Sequence, residues 1–233
     1  IGRSICEALS REKCNVIVHY DQSGREAARL VSMLERKGIN AWRIQAHLQN
    51  ALDCRQLLDK AVGLAGKVDL LINNAAIFEK GTRKSLSRNL LNKHLTINYL
   101  VPVALTGLIA SGLKTRHGRR MIKIINMLDR RITGDDPECR EYVISKKFLT
   151  EFTIREAVEL APLATVNGVA PGAVLPPPST GGKRRTRDLA GAIPLGKRPT
   201  PADVAAAVVF LLESDAVTGQ IIFVDGGQHL LKE

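Results

Sequence analysis

The chain alternates between short, unbroken apolar runs and longer segments in which apolar residues recur every three or four positions. Short runs of this kind predict buried strands, and the wider spacing predicts amphipathic helices. The predicted strands are residues 15–20, 41–46, 68–72, 121–126, 165–169 and 220–224. The predicted helices lie near the start of the chain, at 24–37, 52–64 and 89–111, around Tyr142, and at 202–212.

The regular alternation of strands and helices predicts an α/β fold in one domain, residues 1–233. The strands read as apolar runs rather than alternating patterns, which is typical of a parallel sheet covered by helices on both faces. Ligands of such sheets bind at the carboxyl ends of the strands. Asn74, Asp129 and Gly172 all follow predicted strands, so we expect them at one edge. A Pro/Gly-rich loop at about 173–198 is interpreted as a substrate lid, with a plain surface loop as the alternative.

Composition narrows the class of protein. Apolar residues make up 45% of the 233 residues, which is enough for a sizeable core. There is no unbroken run of about 18 apolar residues, so we expect no membrane span. The four cysteines are widely spaced and match no metal or disulfide pattern, which predicts reduced thiols, no metal site and a cytoplasmic protein.

The net charge of +11 raises the question of a nucleic-acid partner. The charge is dispersed, however, apart from short clusters such as 183–187, and aromatic residues are only 4% of the chain. An anionic cofactor or substrate is a sufficient explanation of this charge, with general solubility as the alternative. We therefore do not expect nucleic acid as a partner.

Tyr142 and Lys146 are the first candidate for chemistry. In a helix, residues four apart lie on one face, so both side chains can point into one cleft. An ammonium beside a phenol favours the phenolate, which would make Tyr142 a proton donor for a carbonyl or imine. Alone, this pair also fits an ordinary solvated helix face.

The ordered set of motifs resembles the short-chain dehydrogenase/reductase family. The matching residues span nearly the whole chain: Gly2, Asn73-Asn74-Ala75, Asn98, Tyr142 with Lys146, Asn167 to Gly172, and Val224 to Gly227. The resemblance implies a Rossmann-type, doubly wound parallel sheet, a nicotinamide cofactor, hydride transfer and a homotetramer. It also implies that Lys146 binds the nicotinamide ribose and keeps Tyr142 acidic, and that Asn98 supports Lys146. The implied cofactor contacts are Gly2, His19, Tyr20, Ser23, Leu48, Asn74, Ala75, Tyr142, Lys146, Pro171 and Gly172.

A narrower resemblance is to pteridine reductases. Asp129 lies thirteen residues before Tyr142, with no serine between them, where the wider family has a catalytic serine. Phe78 matches a phenylalanine that stacks on the pterin, and Asp129, Tyr142 and Phe78 would contact the substrate. An aspartate can bind ring N–H groups or relay a proton, whereas a hydroxyl better suits a carbonyl oxygen. The alternatives are a loop carboxylate pairing with Arg130 or Arg131, and plain packing for Phe78.

Three departures from the family pattern remain. Of the glycine-rich turn only Gly2 is present, and we expect that the first strand and the rest of this turn are missing because the sequence is truncated. Asp21 disfavours a 2′-phosphate, whereas Ser23 and Arg25 favour one; we predict NADPH, with NADH as the alternative. His47 stands where the family often has an aspartate.

The leading prediction is an NADPH-dependent pteridine reductase. The alternatives are a 3-oxoacyl-thioester or other carbonyl reductase, and a non-catalytic, reductase-like binding protein.

Overall fold

The computed structural model describes residues 1–82, 85–113, 121–174 and 192–231. Strands and helices alternate along it, as the apolar pattern predicts. The helices are α1 (Gly2–Arg11), α2 (Gly24–Glu35), α3 (Ala51–Ala65), α4 (Arg88–Leu95), α5 (Val101–Leu113), α6 (Arg140–Glu159) and α7 (Pro201–Glu213). The strands are β1 (Val16–Tyr20), β2 (Ala41–Gln45), β3 (Leu70–Asn73), β4 (Ile122–Met127), β5 (Ala164–Pro171) and β6 (Ile221–Val224).

All strand pairs are parallel, and in the described part of the chain they form two sheets. One contains β1 and β2, and the other has the order β3-β4-β5-β6. Apolar residues of β1, β4 and β5 join helices α1 and α7 in one core cluster, which spans the two sheets. The prediction of a doubly wound parallel α/β fold is confirmed.

The central strands are buried on both faces. Ile124, Ile125, Val166 and Val169 have no exposed surface. This explains why β4 and β5 are mainly apolar, because both faces of the sheet are covered. The carboxyl ends of β3, β4 and β5 therefore form a common edge, because parallel strands end together.

Local signals fix the helix ends. Asn50 and Asp53 form a capping box at the start of α3, and Gly66 ends that helix in the left-handed region at φ 75°. Thr200 and Asp203 form the same box at α7, with Pro201 as its first residue. Ser23 precedes α2 as predicted, but its hydroxyl makes no capping bond.

The long predicted helix at 89–111 is interrupted. A π-helical turn, Thr96–Leu100, joins α4 to α5 and is centred on Asn98. The combined segment Arg88–Gly112 is long and apolar enough to cross a membrane by length and composition alone. A single helix of this kind is weak evidence for a span, because a core helix of a soluble protein passes the same test, and this one packs against α6.

Candidate active site

Tyr142 and Asp129 meet at the common strand edge. Asp129 follows β4, and Tyr142 lies in the first turn of α6, which returns across the end of that strand. The Tyr142 hydroxyl donates a hydrogen bond of 3.0 Å to Asp129 Oδ2. Tyr142 is buried, and burial raises the pKa of its phenol well above the ordinary value, with the Asp129 carboxylate acting in the same direction. The proton therefore stays on the phenol and points at the carboxylate.

Lys146 lies one turn further along α6 and is fully enclosed. Its Nζ donates a 2.6 Å hydrogen bond to the Met127 carbonyl and lies 5.9 Å from the Tyr142 ring centroid. Burial lowers the pKa of Lys146 to about 8, against the opposing effect of Asp129. We expected Lys146 to make Tyr142 acidic. In this arrangement the pKa of Tyr142 is raised instead, because burial and Asp129 dominate and the ammonium is directed at a carbonyl.

Asp129 also pairs with Arg131, which is the alternative that the sequence left open for this carboxylate. The backbone N–H of Arg131 donates to Asp129 Oδ1 at 2.9 Å, and Arg131 Nη1 lies 3.2 Å from Oδ2. Arg131 Nε donates to Asp136 Oδ2 at 3.0 Å. A short 3₁₀ turn, Arg130–Thr133, which the apolar pattern did not predict, brings these groups together.

Phe78 completes the wall beside Tyr142. The two rings meet edge to face with centroids 4.8 Å apart, and the Arg131 guanidinium lies 5.5 Å from the Phe78 centroid. Half of the Phe78 surface remains exposed. A half-exposed aromatic ring next to a proton donor is a candidate contact for a flat ligand.

Asn98 holds the loop that carries Phe78. Its Oδ1 accepts from the Ile77 N–H at 2.8 Å, and its Nδ2 donates to the Ile77 carbonyl and to Ser145 Oγ. The side chain is fully buried, which excludes a solvent-facing role. Asn98 thus reaches the neighbour of Lys146 in α6, and it supports the site through the backbone at Ile77.

His94 and Glu141 form a second layer that the sequence did not indicate. His94 Nδ1 donates to the Leu90 carbonyl, so its Nε2 is free to accept from the Glu79 N–H at 3.2 Å. Burial lowers the pKa of His94, which favours this neutral form. Glu141 accepts from the Ser87 N–H at 2.6 Å. His94 therefore ties Glu79, the neighbour of Phe78, to α4, and Glu141 ties Ser87, at the end of the same loop, to α6.

The start of α1 and the glycines Gly2 and Gly172 belong to the predicted cofactor contacts. The first turn of α1, which begins at Gly2, carries no acidic residue, as an anion site at a helix amino terminus requires. A Cβ on Gly2 would lie 2.7 Å from Asn74 Nδ2, and one on Gly172 would lie 2.7 Å from the Asp225 Cβ. The backbone therefore packs closely against neighbouring loops at both glycines. The amino terminus of α1 carries no carboxylate that would repel the pyrophosphate of the predicted cofactor, so the residues present there fit it.

The remaining predicted cofactor residues lie at the ends of β1 and β2. His19 Nε2 is 2.8 Å from the Ala46 carbonyl, and the Tyr20 ring packs beside Gly24 at the start of α2. Ser23 is exposed there. The Leu48 side chain belongs to the apolar core, so only its backbone can face a cofactor.

Asp21 and His47, two of the departures from the family pattern, contact each other. His47 Nδ1 lies 3.0 Å from Asp21 Oδ1, and Gln49 Nε2 lies 2.6 Å from the other ring nitrogen of His47. Asp21 is thus engaged by an imidazole. The predicted substrate loop at 173–198, with its basic cluster at 183–187, falls mostly outside the described residues.

Known proteins are similar to this chain over nearly its whole length. The family model described as enoyl-(acyl carrier protein) reductase matches residues 1–229. The 3-oxoacyl-[acyl-carrier-protein] reductase FabG of Staphylococcus aureus is 30% identical over 237 residues, covering 99% of this chain and 94% of that protein.

Two solved structures are similar at the level of the fold. FolM alternative dihydrofolate reductase 1 from Brucella suis, in complex with NADP, has a TM-score of 0.88 at 30% identity and covers 100% of this chain and 92% of its own. The Brucella canis protein with NADP gives the same TM-score and identity over 91% of its own chain. The chain therefore belongs to the short-chain dehydrogenase/reductase family, as its ordered motifs predict.

Proposed function

We propose that this oxidoreductase is an NADPH-dependent reductase of pterins, acting on the C=N bonds of a dihydropterin or related folate. The observation that carries the proposal is the hydrogen bond from Tyr142 to Asp129, at the position where carbonyl reductases of the family have a serine. The likeness to FolM structures that contain NADP supports both the substrate class and the cofactor.

The residues divide the work as follows. When bound, NADPH supplies the hydride that reduces the carbon of the C=N bond. The nitrogen must gain a proton, and Tyr142 and Asp129 form the donor pair that delivers it. Lys146 and the backbone at Asn74, Ala75 and Gly172 hold the cofactor. The half-exposed ring of Phe78 contacts the pterin, and an aromatic contact of this kind adds about 0.5–1.5 kcal/mol beyond area burial.

The state of Tyr142 and Lys146 suits this order of events. Before substrate binds, the phenol keeps its proton because burial and Asp129 raise its pKa. The pKa of Lys146, at about 8, allows the ammonium form near neutral pH. Hydroxyls of a bound ribose would give that ammonium further acceptors, which favours its charged form and, through it, release of the Tyr142 proton.

A carbonyl reductase acting on 3-oxoacyl thioesters is the second candidate. It is favoured by the FabG relative, which matches nearly the whole chain. The absence of a serine between Asp129 and Tyr142 counts against it. A non-catalytic reductase-like protein is the third reading, and the intact Tyr142, Lys146 and Asn98 arrangement counts against it.

We further propose a homotetramer, which the family resemblance implies. Large apolar side chains are exposed on the π turn and on α6: Leu100, Phe148, Ile154 and Val158. Exposed patches of this kind are typical of protein interfaces.

The test is the oxidation of NADPH, followed by absorbance, with dihydrobiopterin and, separately, with an acetoacetyl thioester. We expect pterin-dependent oxidation that Tyr142→Phe lowers by about 10²–10⁴-fold, the range of general acid catalysis. Activity on the thioester alone would establish the second candidate. Tight NADPH binding without turnover of either substrate would establish the non-catalytic reading.

A further inference from the structure

Arg131 stands at the centre of the site yet has no place in the chemistry described above. Its guanidinium touches the carboxylate partner of Tyr142 on one side and the face of Phe78 on another. We propose that Arg131 is a positioning residue, which locks the proton-relay carboxylate Asp129 and the stacking ring Phe78 into one geometry. This inference rests on the proposed function, because it concerns the same site.

Arg131 fixes the orientation of the Asp129 carboxylate. Oδ1 of this carboxylate receives the Arg131 backbone N–H at 2.9 Å and Nη1 at 3.3 Å, whereas Oδ2 receives Nη1 at 3.2 Å and the Tyr142 hydroxyl at 3.0 Å. A carboxylate on a loop can rotate about its side-chain bonds. Here Arg131 bonds hold both oxygens, so Oδ2 is kept facing the phenol.

Arg131 also contacts the ring of Phe78. This ring is half exposed, and it meets Tyr142 by an edge and Arg131 by a cation–π contact. A planar guanidinium can pair with a carboxylate in its plane while its face or edge meets an aromatic ring. One side chain therefore connects the loop after β3, which carries Phe78, to the loop after β4, which carries Asp129.

Asp136 is the anchor that holds Arg131 itself in place. Asp136 Oδ2 accepts from Arg131 Nε at 3.0 Å, and Asp136 Oδ1 accepts from the Glu138 N–H at 3.1 Å. The Asp136 carbonyl also accepts from the Cys139 N–H, at the start of α6. The guanidinium thus bonds to two carboxylates, those of Asp129 and Asp136. Asp136 belongs to the turn that leads into α6, the helix of Tyr142.

A lysine at this position could not do the same. An ammonium is a single point of charge on a flexible stem, so it cannot present separate fixed N–H groups to two carboxylates and a flat face to a ring. The arrangement therefore depends on the shape of the arginine side chain as well as on its charge.

The experiment measures kcat and KM for pterin reduction in double-mutant cycles. Arg131→Met should lower kcat/KM at least tenfold, through a lower kcat from a misplaced Asp129 and a higher KM from a loosened Phe78. In an Asp129→Asn background it should lower kcat by less than twofold. In a Phe78→Leu background its effect on KM should vanish. NADPH affinity should stay within twofold of the starting protein throughout.

Three further variants separate positioning from charge. Asp136→Asn leaves Asp129 paired but removes the anchor, so it should reproduce a part of the Arg131→Met loss, about threefold or more. Arg131→Lys keeps the charge and should stay within threefold of Arg131→Met. Arg155→Met removes a positive charge from an exposed site about 20 Å along α6, and kcat/KM should change by less than twofold.

Two results would overturn the inference. One is an Arg131→Met protein within twofold of the starting kcat/KM. The other is full additivity with Asp129→Asn and Phe78→Leu, which is what a general loss of folded protein would produce. If the unmutated protein reduces only the thioester, the proposed function fails, and the same cycles on the thioester still decide whether Arg131 acts through Asp129.

Discussion

Asp129 and Tyr142 share one proton-donating contact in which the phenol is the donor and the carboxylate the acceptor. Lys146, the third member, has its ammonium directed to the Met127 carbonyl, and its own pKa is lowered by burial. In this state the proton stays on Tyr142, and burial disfavours the charged form of Lys146. A buried charge lowers the folding stability of the protein, so this arrangement can be tested without any substrate.

Lys146 should make the stability of the protein depend on pH. Its pKa falls from 10.5 in the unfolded chain to about 8 in the fold, so the unfolded state binds more protons between these values. Stability therefore rises with pH across this window. Between pH 7.5 and 9.5, unfolding free energy should rise by about 2 kcal/mol more in the starting protein than in Lys146→Met.

Urea denaturation at the two pH values measures this difference. Lys147→Met, the same change at the exposed next position, is the control and should show no such difference from the starting protein. Equal pH dependence in the Lys146→Met and starting proteins would mean that Lys146 does not carry the burial penalty.

Asp21 should limit the preference for NADPH. Its carboxylate lies at the end of β1, near Ser23, and is engaged by His47. A carboxylate repels a 2′-phosphate, so Asp21→Arg should raise the ratio of NADPH to NADH affinity at least tenfold, as measured by fluorescence titration. Asp59→Arg makes the same charge change on the exposed face of α3, and we expect it to leave the ratio unchanged. A ratio that does not move in Asp21→Arg would place Asp21 away from the ribose.

At the level of elements, the apolar pattern predicted the six strands and the α-helical segments of the described fold, but not its short 3₁₀ turns. The bounds agree within one or two residues in most cases; for example, 202–212 became Pro201–Glu213. The π turn at Thr96–Leu100 was not predictable, because the apolar spacing continues through it. Asn98 lies at its centre, and the hydrogen-bond partners of Asn98, Ile77 and Ser145, are 21 and 47 residues away in the sequence.

The candidate site was predictable where a residue follows a strand or matches a motif. Asp129, Tyr142, Lys146 and Phe78 come together as expected. The hydrogen bond from Arg131 to Asp136 was not predictable, because it depends on a 3₁₀ turn that leaves no periodic signal in the sequence. The contact of His94 with the Phe78 loop was not predictable either, because its partner is a backbone group.

Asn98 should matter to the whole Phe78 loop. Asn98→Ala would leave the Ile77 N–H and carbonyl without their present partner. Buried polar groups left unpaired cost about 1–3 kcal/mol each, so we expect a loss of about 2–4 kcal/mol in unfolding free energy. Urea denaturation measures it, with the exposed Asn92→Ala on α4 as the control, expected within about 0.5 kcal/mol. A loss equal to that of the control would contradict the role given to Asn98.

At the scale of the whole molecule, the exposed apolar side chains of the π turn and α6 predict self-association. Light scattering after size exclusion should give four times the mass of one chain. Phe148→Asp places a charge in this region and should yield a smaller species, because a buried unpaired charge is costly. A single-chain mass for the starting protein would contradict the proposed homotetramer.

Asp129, in place of a serine, is the residue that we propose suits the site to C=N reduction. The most direct measurement is the ratio of kcat/KM for dihydrobiopterin to that for an acetoacetyl thioester, before and after Asp129→Ser. We predict that this ratio falls at least tenfold, because a serine hydroxyl can serve a carbonyl oxygen but cannot supply the carboxylate that faces Tyr142. An unchanged ratio would contradict a pterin-specific role for Asp129.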